Sequence, residues 1–461
     1  MIHSCFDTNQ LKFKRNNMFP MRVVNLSFFI LALSTWLIAQ SNAADLAPSP
    51  HPSNMPPHKP GQSLSRWSHE TPPTQPPQPA PSCGCEPSPE DFTNMKQYEA
   101  YKVIKRFKGI ITSDPLNITG TWVGTKICDN DEINTYRGFY CDTPPGTTDL
   151  TIAAIDFNGF HLGAPTLDGF INGFPDLALF HANSNNFSGT VPDLSGLPYF
   201  YELDLSNNNF SGPFPTNVVP LTNLAFLDLR FNHFEGPVPS QIFYIGYEAL
   251  FLNNNIFDSS IPASLGSSPV EYLTFANNRF TGPIPASICN TSRTLLEVLF
   301  LNNQFSGCLP YEIGYLRDLT VFDVGMNQLT GYIPLSFGCL SNIEQLNLAQ
   351  NSLYGMVPDV VCQLAKTGNL VNLSLSDNYF TSLGPNCWDL LHTNVLDVRN
   401  NCIVGLPNQK SPIECHFFFS LPRHCPYIAY MPCEVNPRRN ATCYERTHWP
   451  WHFDHSPPLL H

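Results

Sequence analysis

One pattern of apolar and polar positions recurs along most of the chain. Two apolar residues stand two positions apart, an asparagine follows three positions later, then an apolar residue, and in most copies a glycine, as in Leu203, Leu205, Asn208, Phe210 and Gly212. Copies of the pattern follow one another at intervals of 23 to 27 residues. Their asparagines are Asn185, Asn208, Asn232, Asn255, Asn278, Asn303, Asn327, Asn351, Asn378 and Asn401.

A period near 24 residues is typical of leucine-rich repeats, which stack into a solenoid. A degenerate first copy lies at Ile155, Phe157 and Leu162, with Phe160 where the asparagine should be. The pattern therefore predicts about eleven repeat units over residues 151–406.

Each position of the pattern has a physical role in such a solenoid. Leu203 and Leu205 point inward from a short strand, and Asp204 between them points outward. The asparagine can bond backbone groups left open where the strand ends, so stacked copies form a buried ladder. Glycine followed by proline, as in Gly236 and Pro237, lets the chain turn sharply. We therefore predict an α/β solenoid with a parallel sheet on its concave side.

The first 90 residues have a different character. Basic residues precede an apolar run from Phe28 to Ala39, and small residues follow it. This order is typical of a secretory signal peptide, which we assign to residues 1–43. The run is shorter than the roughly 20 residues of a membrane span, so no span is predicted. Prolines recur through residues 44–90, which are predicted to be an extended, disordered linker.

Both ends of a solenoid expose apolar core and need caps. Residues 91–150 are predicted to form the amino-terminal cap. The spacing predicts a helix over residues 91–112 that begins near Thr93. Its apolar stripe has three- and four-residue steps and consists of Tyr101, Ile104, Phe107 and Ile111.

The cysteines predict a disulfide framework, because a secreted chain with an even number of them is typically cross-linked. The chain has 15 cysteines, and removal of Cys5 with the signal leaves 15 − 1 = 14. Cys128 and Cys141 are expected to pair in the amino-terminal cap. Neighbouring repeats could be joined by the pairs Cys289–Cys308 and Cys362–Cys387.

Four more cysteines follow the last repeat and predict a cysteine-rich carboxyl-terminal cap over residues 407–445. A flexible tail over residues 446–461 comes after it. Spacing leaves all three pairings of the four open. These cysteines are Cys402, Cys415, Cys425 and Cys433.

Charge narrows the class of partner. Only 13% of the residues are charged, and the formal net charge is −13. Nucleic acid is an unsuitable partner, because neutralising phosphates needs basic stripes. A basic peptide or protein fits better.

Outward positions of the predicted sheet form an acidic column with an aromatic centre. Aspartate between two leucines is also common in this repeat, so its alternative role is to keep the strand soluble. Aromatic side chains exposed in a row call for a covering partner. The candidate ligand-binding residues are Glu202, Asp204, Phe226, Asp228, Phe231, Phe251, Tyr272, Glu297 and Asp323.

Other chemistry is sparse. The carboxyl-terminal histidines lack a rigid frame with ligand spacing, so no metal site is predicted. No catalytic motif is present, and neither enzymatic activity nor a cofactor is predicted. Sequons for N-glycosylation occur at Asn117, Asn186, Asn209, Asn290, Asn372 and Asn440.

Several phrases resemble a known family more closely than the generic repeat does. They are LALFHANSN at 177–185, LDLRFN at 227–232, LTVFDV at 319–324 and RNNC at 399–402. With the spacing of the last four cysteines, they make residues 95–433 resemble the repeat domain of plant leucine-rich repeat extensins.

The resemblance implies a plant-type leucine-rich repeat and a secreted, extracellular protein of the cell wall. Members bind secreted, basic, cysteine-rich rapid alkalinisation factor peptides, often as dimers, so such a peptide and a homodimer are expected. No serine–proline module follows Cys433, which favours the branch without an extensin tail. Cell-wall polysaccharide and a receptor-kinase ectodomain are further candidate partners. The alternatives are an inhibitor of a wall-degrading enzyme such as polygalacturonase, and a structural wall protein.

Overall fold

The computed structural model describes most of the chain between the predicted linker and the end of the cysteine-rich segment. The predicted signal peptide, nearly all of the predicted linker, Asn440 and the histidines of the predicted tail lie outside the described residues. Those residues are 86–129, 135–366, 369–422, 424–426 and 433.

Contacts divide the chain into two units. One unit comprises residues 1–88 and 145–147, and its described residues contain no helix or strand. The other comprises residues 89–144 and 148–461 and contains the repeats.

A long sheet runs through the described repeats, with one strand from each unit. Its order is β1-β2-β4-β6-β8-β10-β12-β14-β16-β18-β20-β22, and neighbours are parallel except β1 and β2, which are antiparallel. The strands are β1 Phe139–Asp142, β2 Thr151–Asp156, β4 Leu179–His181, β6 Glu202–Asp204, β8 Phe226–Asp228, β10 Ala249–Phe251, β12 Tyr272–Thr274, β14 Glu297–Leu299, β16 Val321–Asp323, β18 Gln345–Asn347, β20 Asn372–Ser374 and β22 Leu396–Asp397.

A second strand follows the asparagine in most units and builds two five-stranded lateral sheets in the described chain. Their orders are β11-β9-β7-β5-β3 and β13-β15-β17-β19-β21. The strands are β3 Gly163–Ala164, β5 Asn186–Gly189, β7 Asn209–Pro213, β9 His233–Pro237, β11 Ile256–Asp258, β13 Thr281–Gly282, β15 Gln304–Cys308, β17 Gln328–Gly331, β19 Ser352–Val357 and β21 Tyr379–Leu383.

The predicted asparagine ladder is confirmed. Asn232 donates from Nδ2 to the carbonyl oxygens of Leu205, Leu229 and Arg230 at 2.9, 3.2 and 3.2 Å. Its Oδ1 accepts from the backbone N–H of Phe210 at 3.0 Å. Because Leu205 and Phe210 belong to the preceding unit, each asparagine joins two units while satisfying the turn of its own.

Phenylalanine fills the interior behind the ladder. The rings of Phe210, Phe234, Phe257, Phe280 and Phe305 follow one another with centroids 6.1 to 6.3 Å apart. All five side chains are at most 1% exposed. The apolar residues that follow the asparagine in successive repeats therefore stack into a continuous core.

The chain returns to the long sheet through short helices. The last two returns described are the α-helices α2 Asp359–Lys366 and α3 Pro385–Leu390, whose Cys362 and Cys387 form a disulfide. The described residues also form 3₁₀ helices, which are Pro89–Asp91, Thr119–Thr121, Ile171–Gly173, Thr216–Val218, Ser240–Tyr244, Ala263–Ser267, Ala286–Thr291, Tyr311–Tyr315 and Leu335–Cys339.

The amino-terminal helix α1 covers Met95–Lys108, shorter than the predicted 91–112. Its cap is Asn94 rather than Thr93, because the Asn94 side chain accepts from the N–H of Gln97 at 2.9 Å. Phe107 stacks on Phe170 of the repeats with ring centroids 3.7 Å apart. The helix thus covers the apolar end of the solenoid, and the expected Cys128–Cys141 disulfide is present beside it.

Of the four cysteines after the last repeat, only two pair with each other, and the other two bond cysteines within the repeats. Cys402 bonds Cys415, but Cys425 bonds Cys308 and Cys433 bonds Cys339. The predicted Cys289–Cys308 bridge is therefore wrong, and Cys289 is in a different disulfide. Spacing along the chain could not reveal partners that lie 117 and 94 residues away.

These bonds hold a strap, defined here as residues 412–422, 424–426 and 433, to the lateral strand β15 at Cys308 and to the return helix Leu335–Cys339 at Cys339. Its helix α4, Pro412–Phe419, stacks Phe418 on Tyr379 of β21 with centroids 3.5 Å apart. Farther along the strap, Cys425 packs against Gly331 of β17. A Cβ at Gly331 would lie only 2.6 Å from the Cβ and Sγ atoms of Cys425. A side chain at Gly331 would exclude the strap.

Among the described residues, none of the helices is both long and apolar enough to cross a membrane.

Candidate functional site on the concave sheet

Two columns of side chains point outward from the long sheet. The strand register places equivalent residues of successive units side by side. Column one holds Asp156, His181, Asp204, Asp228, Phe251, Thr274, Leu299, Asp323, Asn347 and Ser374. Column two holds Leu179, Glu202, Phe226, Ala249, Tyr272, Glu297, Val321, Gln345 and Asn372.

The aspartates of column one have a structural role in their own unit. One carboxylate oxygen accepts the backbone N–H two residues later, at 2.9 Å in Asp204, 3.1 Å in Asp228 and 3.0 Å in Asp323. A short acidic side chain suits this turn because it can fold back on its own backbone. One oxygen of each is thus committed to the fold. The other pairs with Arg230 in Asp228, and Asp323 is also hydrogen-bonded to the Asn347 side chain.

Asp228 lies in an ion pair at the centre of the acidic half. The Arg230 Nε lies 2.7 Å from its Oδ2, and the two side chains are 11% and 0% exposed. Burial raises the pKa of Asp228 to about 7, although the Arg230 charge acts to lower it. The Arg230 guanidinium lies over the Phe251 ring, 5.2 Å from its centroid.

The aromatic side chains of the columns were expected to be exposed in a row, and this expectation is wrong. Phe251 is only 3% exposed, and Phe226 and Tyr272 are half-buried. Adjacent strands are only about 4.8 Å apart, so outward side chains of neighbouring units pack on one another. Phe226 and Phe251 meet edge to face at 5.6 Å. Phe231 lies in the turn after β8 with φ of 53°, outside the columns.

Besides Oδ2 of Asp228, which has only its ion pair with Arg230, two outward-facing side chains of the described residues bury a polar atom without a hydrogen-bond partner. The two atoms are Oε2 of Glu297 and Nδ2 of Asn253, whose residues are 8% and 1% exposed. The Oδ1 atom of Asn253 accepts a hydrogen bond from the Thr274 hydroxyl at 2.8 Å. Sequence reasoning missed Asn253, although its outward position two residues after Phe251 was the available signal.

Acidity extends along the face in both directions. Burial raises the pKa of Glu297 to about 7, and the nearby charge of Glu344 adds to this. Burial also raises the pKa of Asp323 to about 6. At the amino-terminal side, Nε2 of His181 lies 2.9 Å from Oε2 of Glu202.

The sequons occupy different surfaces. Asn117, Asn186 and Asn209 are exposed, with the last two at the starts of β5 and β7 on the lateral side. Asn290 and Asn372 are half-buried, and Asn372 lies in column two of the concave face. Within the described ranges, no group of three or more histidine, cysteine or acidic residues could hold a metal ion.

Comparison with known families supports the repeat assignment. The Leucine Rich Repeat family model matches residues 200–221 and 269–291.

Curated plant proteins match over longer stretches. The chain is 40% identical over 336 residues to Leucine-rich repeat extensin-like protein 7 of Arabidopsis thaliana, covering 72% of this chain and 75% of that protein. It is 39% identical over 269 residues to extensin-like protein 6, covering 57% and 53%. The chain spans less than a third of several longer relatives, such as 29% of extensin-like protein 2, to which it is 42% identical over 51% of its own length.

Solved structures include similar solenoids. One is the ectodomain of the Arabidopsis thaliana receptor kinase GASSHO1/SCHENGEN3 in complex with CASPARIAN STRIP INTEGRITY FACTOR 2. It has a TM-score of 0.48 and 31% identity, over 54% of this chain and 30% of that one.

Proposed function

Because the chain belongs to the leucine-rich repeat extensin-like family of plants, we propose that it is a secreted cell-wall protein whose concave sheet binds a basic, cysteine-rich signalling peptide. The expected peptide class is the rapid alkalinisation factor type. Such binding would control wall growth, with the residues of columns one and two as its contact surface.

The unpaired atoms at the centre of the concave face carry this proposal. A buried polar atom without a partner costs roughly 1–3 kcal/mol, and that cost is removed when a ligand supplies the missing bond. Glu297 Oε2 requires a donor and Asn253 Nδ2 requires an acceptor. Because both atoms are buried in the free protein, a basic side chain next to a peptide carbonyl would supply both bonds once the covering side chains move aside.

Aromatic side chains between the acidic groups suit the same ligand. Phe226, Phe251 and Tyr272 lie in adjacent strands between the acids of β6 and β14. Large, nearly desolvated aromatics are the residues that dominate binding energy at interfaces. The flanking carboxylates of Asp204 and Asp323 would favour a cationic partner and speed its association.

Binding of the secreted full chain to a panel of oxidised, basic, cysteine-rich peptides tests the proposal. The panel is measured at low and at physiological salt, because a Debye length of about 8 Å in physiological salt weakens exposed charge pairs. Glu297→Gln and Phe251→Ala should each weaken binding at least tenfold. Tyr244→Ala is the matched control, because Tyr244 is 68% exposed in a return helix.

Submicromolar binding that falls in the two concave variants, but not in the control, is the expected result. Absence of binding across the panel at low salt would contradict the peptide proposal. Equal loss in Tyr244→Ala would place the contact on another surface.

A further inference from the structure

His181 occupies a position in column one that is otherwise acidic at this end of the sheet. Register places Asp156 beside it on β2 and Asp204 beside it on β6. Its Nε2 lies 2.9 Å from Oε2 of Glu202 in column two. The His181 side chain is 25% exposed, so its proton can exchange with solvent.

The groups around His181 are nearly all acidic. β2 contributes Asp156, β6 contributes Glu202 and Asp204, and β8 contributes Asp228 with its ion-pair partner Arg230. Phe226 of β8 supplies an apolar side, with its ring 6.4 Å from the imidazole. Arg230 is already engaged by Asp228, which leaves His181 as the cation for Glu202.

We propose that His181 is a proton switch for the concave face. When protonated, its imidazolium occupies the Glu202 carboxylate; when it loses the proton, it releases Glu202, between Asp156 and Asp204, to a cationic group of the partner. The switch rests on the proposed function, because it regulates that same surface.

The surroundings favour the protonated form in the free protein. Burial acts to lower the pKa of His181, but the hydrogen bond and charge of Glu202, with the charges of Asp204 and Asp156, outweigh it and raise the pKa. A bound cation reverses this bias, because it repels the imidazolium and takes its carboxylate. Binding should therefore tighten as the pH rises through the His181 titration.

Coupling between His181 and Glu202 can be tested without a partner. Histidine-ring NMR of the full chain, with His181→Gln to assign the signal, follows the imidazole from about pH 5 to about pH 8. The His181 midpoint should fall in Glu202→Gln, because the hydrogen bond and the charge of Glu202 raise the pKa of His181. An unchanged midpoint would overturn the switch.

Binding tests the other half, with oligo-arginine as the probe at fixed salt. As the pH rises to about 8, the affinity of wild type for oligo-arginine should increase roughly tenfold more than the affinity of His181→Gln does, since one unit of linked pKa change is a factor of ten. Asp228, Glu297 and Asp323 titrate in both proteins, so only the difference between them reports His181. His233→Gln, at an exposed position on lateral strand β9, should behave as wild type.

The outcomes separate the two proposals. Equal pH dependence in wild type and His181→Gln would overturn the switch and leave the proposed function standing. Failure of wild type to bind any basic probe at any pH would overturn the proposed function, while the NMR titration would still decide the His181–Glu202 coupling.

Discussion

The asparagine ladder and the outward columns are both repeated polar features, but they differ in how their polar atoms are used. Along the ladder the same asparagine recurs from Asn185 to Asn401, and Asn232 has four hydrogen bonds to backbone groups. Along the columns the side chain changes from unit to unit, from Asp228 to Phe251 to Thr274. At the centre of the face, polar atoms of Asn253 and Glu297 remain unpaired.

This difference distinguishes a structural position from a recognition position. A side chain that repeats and is fully bonded holds neighbouring units together. A side chain that varies and retains an unpaired polar atom is available to a ligand. The comparison predicts that changes in the interior or the strap alter stability but not binding. Changes in the columns alter binding, and at the buried Asp228 they alter stability as well.

The largest expected effect comes from releasing the strap. Serine at Cys308, Cys339, Cys425 and Cys433 opens two loops of 117 and 94 residues and should lower the free energy of unfolding by at least about 5 kcal/mol, because long loops constrain the unfolded chain most. The matched control, Cys402→Ser with Cys415→Ser, opens a loop of 13 residues and should cost about 3 kcal/mol. Chemical denaturation measures both. A loss of peptide affinity in the folded strap variant would break the separation between stability and binding.

The second effect is a fall in stability with rising pH. Asp228 titrates near 3.8 when unfolded and about 7 when folded, so the folded protein binds more protons between these values. The free energy of unfolding should therefore fall, on the order of 2–4 kcal/mol, from about pH 4 to about pH 8. Asp228→Asn should flatten the profile, and Asp258→Asn, on an exposed lateral residue, should not. A profile that rises over this range would contradict the burial of Asp228.

The third effect concerns one rung of the ladder. Asn232→Leu should cost roughly 1–3 kcal/mol, because it leaves the buried N–H of Phe210 without its bond. Asn223→Leu is the control, since Asn223 is exposed and makes one side-chain bond of 3.3 Å. Thermal unfolding compares the two. Equal melting temperatures would show that the ladder does not hold the units together.

The ladder could be predicted from the sequence because its period and its chemistry coincide. Asn232 and Phe234 repeat at fixed offsets, and a single unit is enough to assign their roles. The strap could not be predicted, because the pairing of Cys425 with Cys308 depends on where the chain goes after the last repeat. The burial of Asp228 and Phe251 was also missed, since it arises from packing between units that alternation along one strand does not describe.

The smallest expected effect is on binding, measured on folded protein. Phe251→Ala should lower the affinity for a basic peptide by about tenfold to thirtyfold, equivalent to roughly 1.4–2 kcal/mol, because the aromatic contact and the support for Arg230 are both lost. Asn232→Leu, measured below its melting temperature, is the comparison and should bind normally. If Asn232→Leu bound the peptide more weakly than Phe251→Ala, the distinction between the ladder and the columns would be lost.

The most direct test of the central claim is photo-crosslinking from defined positions of the solenoid. A photoreactive phenylalanine analogue replaces Phe226 in column two or Tyr244 in the return helix, and a bound basic, cysteine-rich peptide is irradiated with each protein. The account predicts crosslinks from position 226 that excess unlabelled peptide suppresses, and none above background from position 244. Specific crosslinks from position 244, with none from position 226, would contradict recognition on the concave sheet.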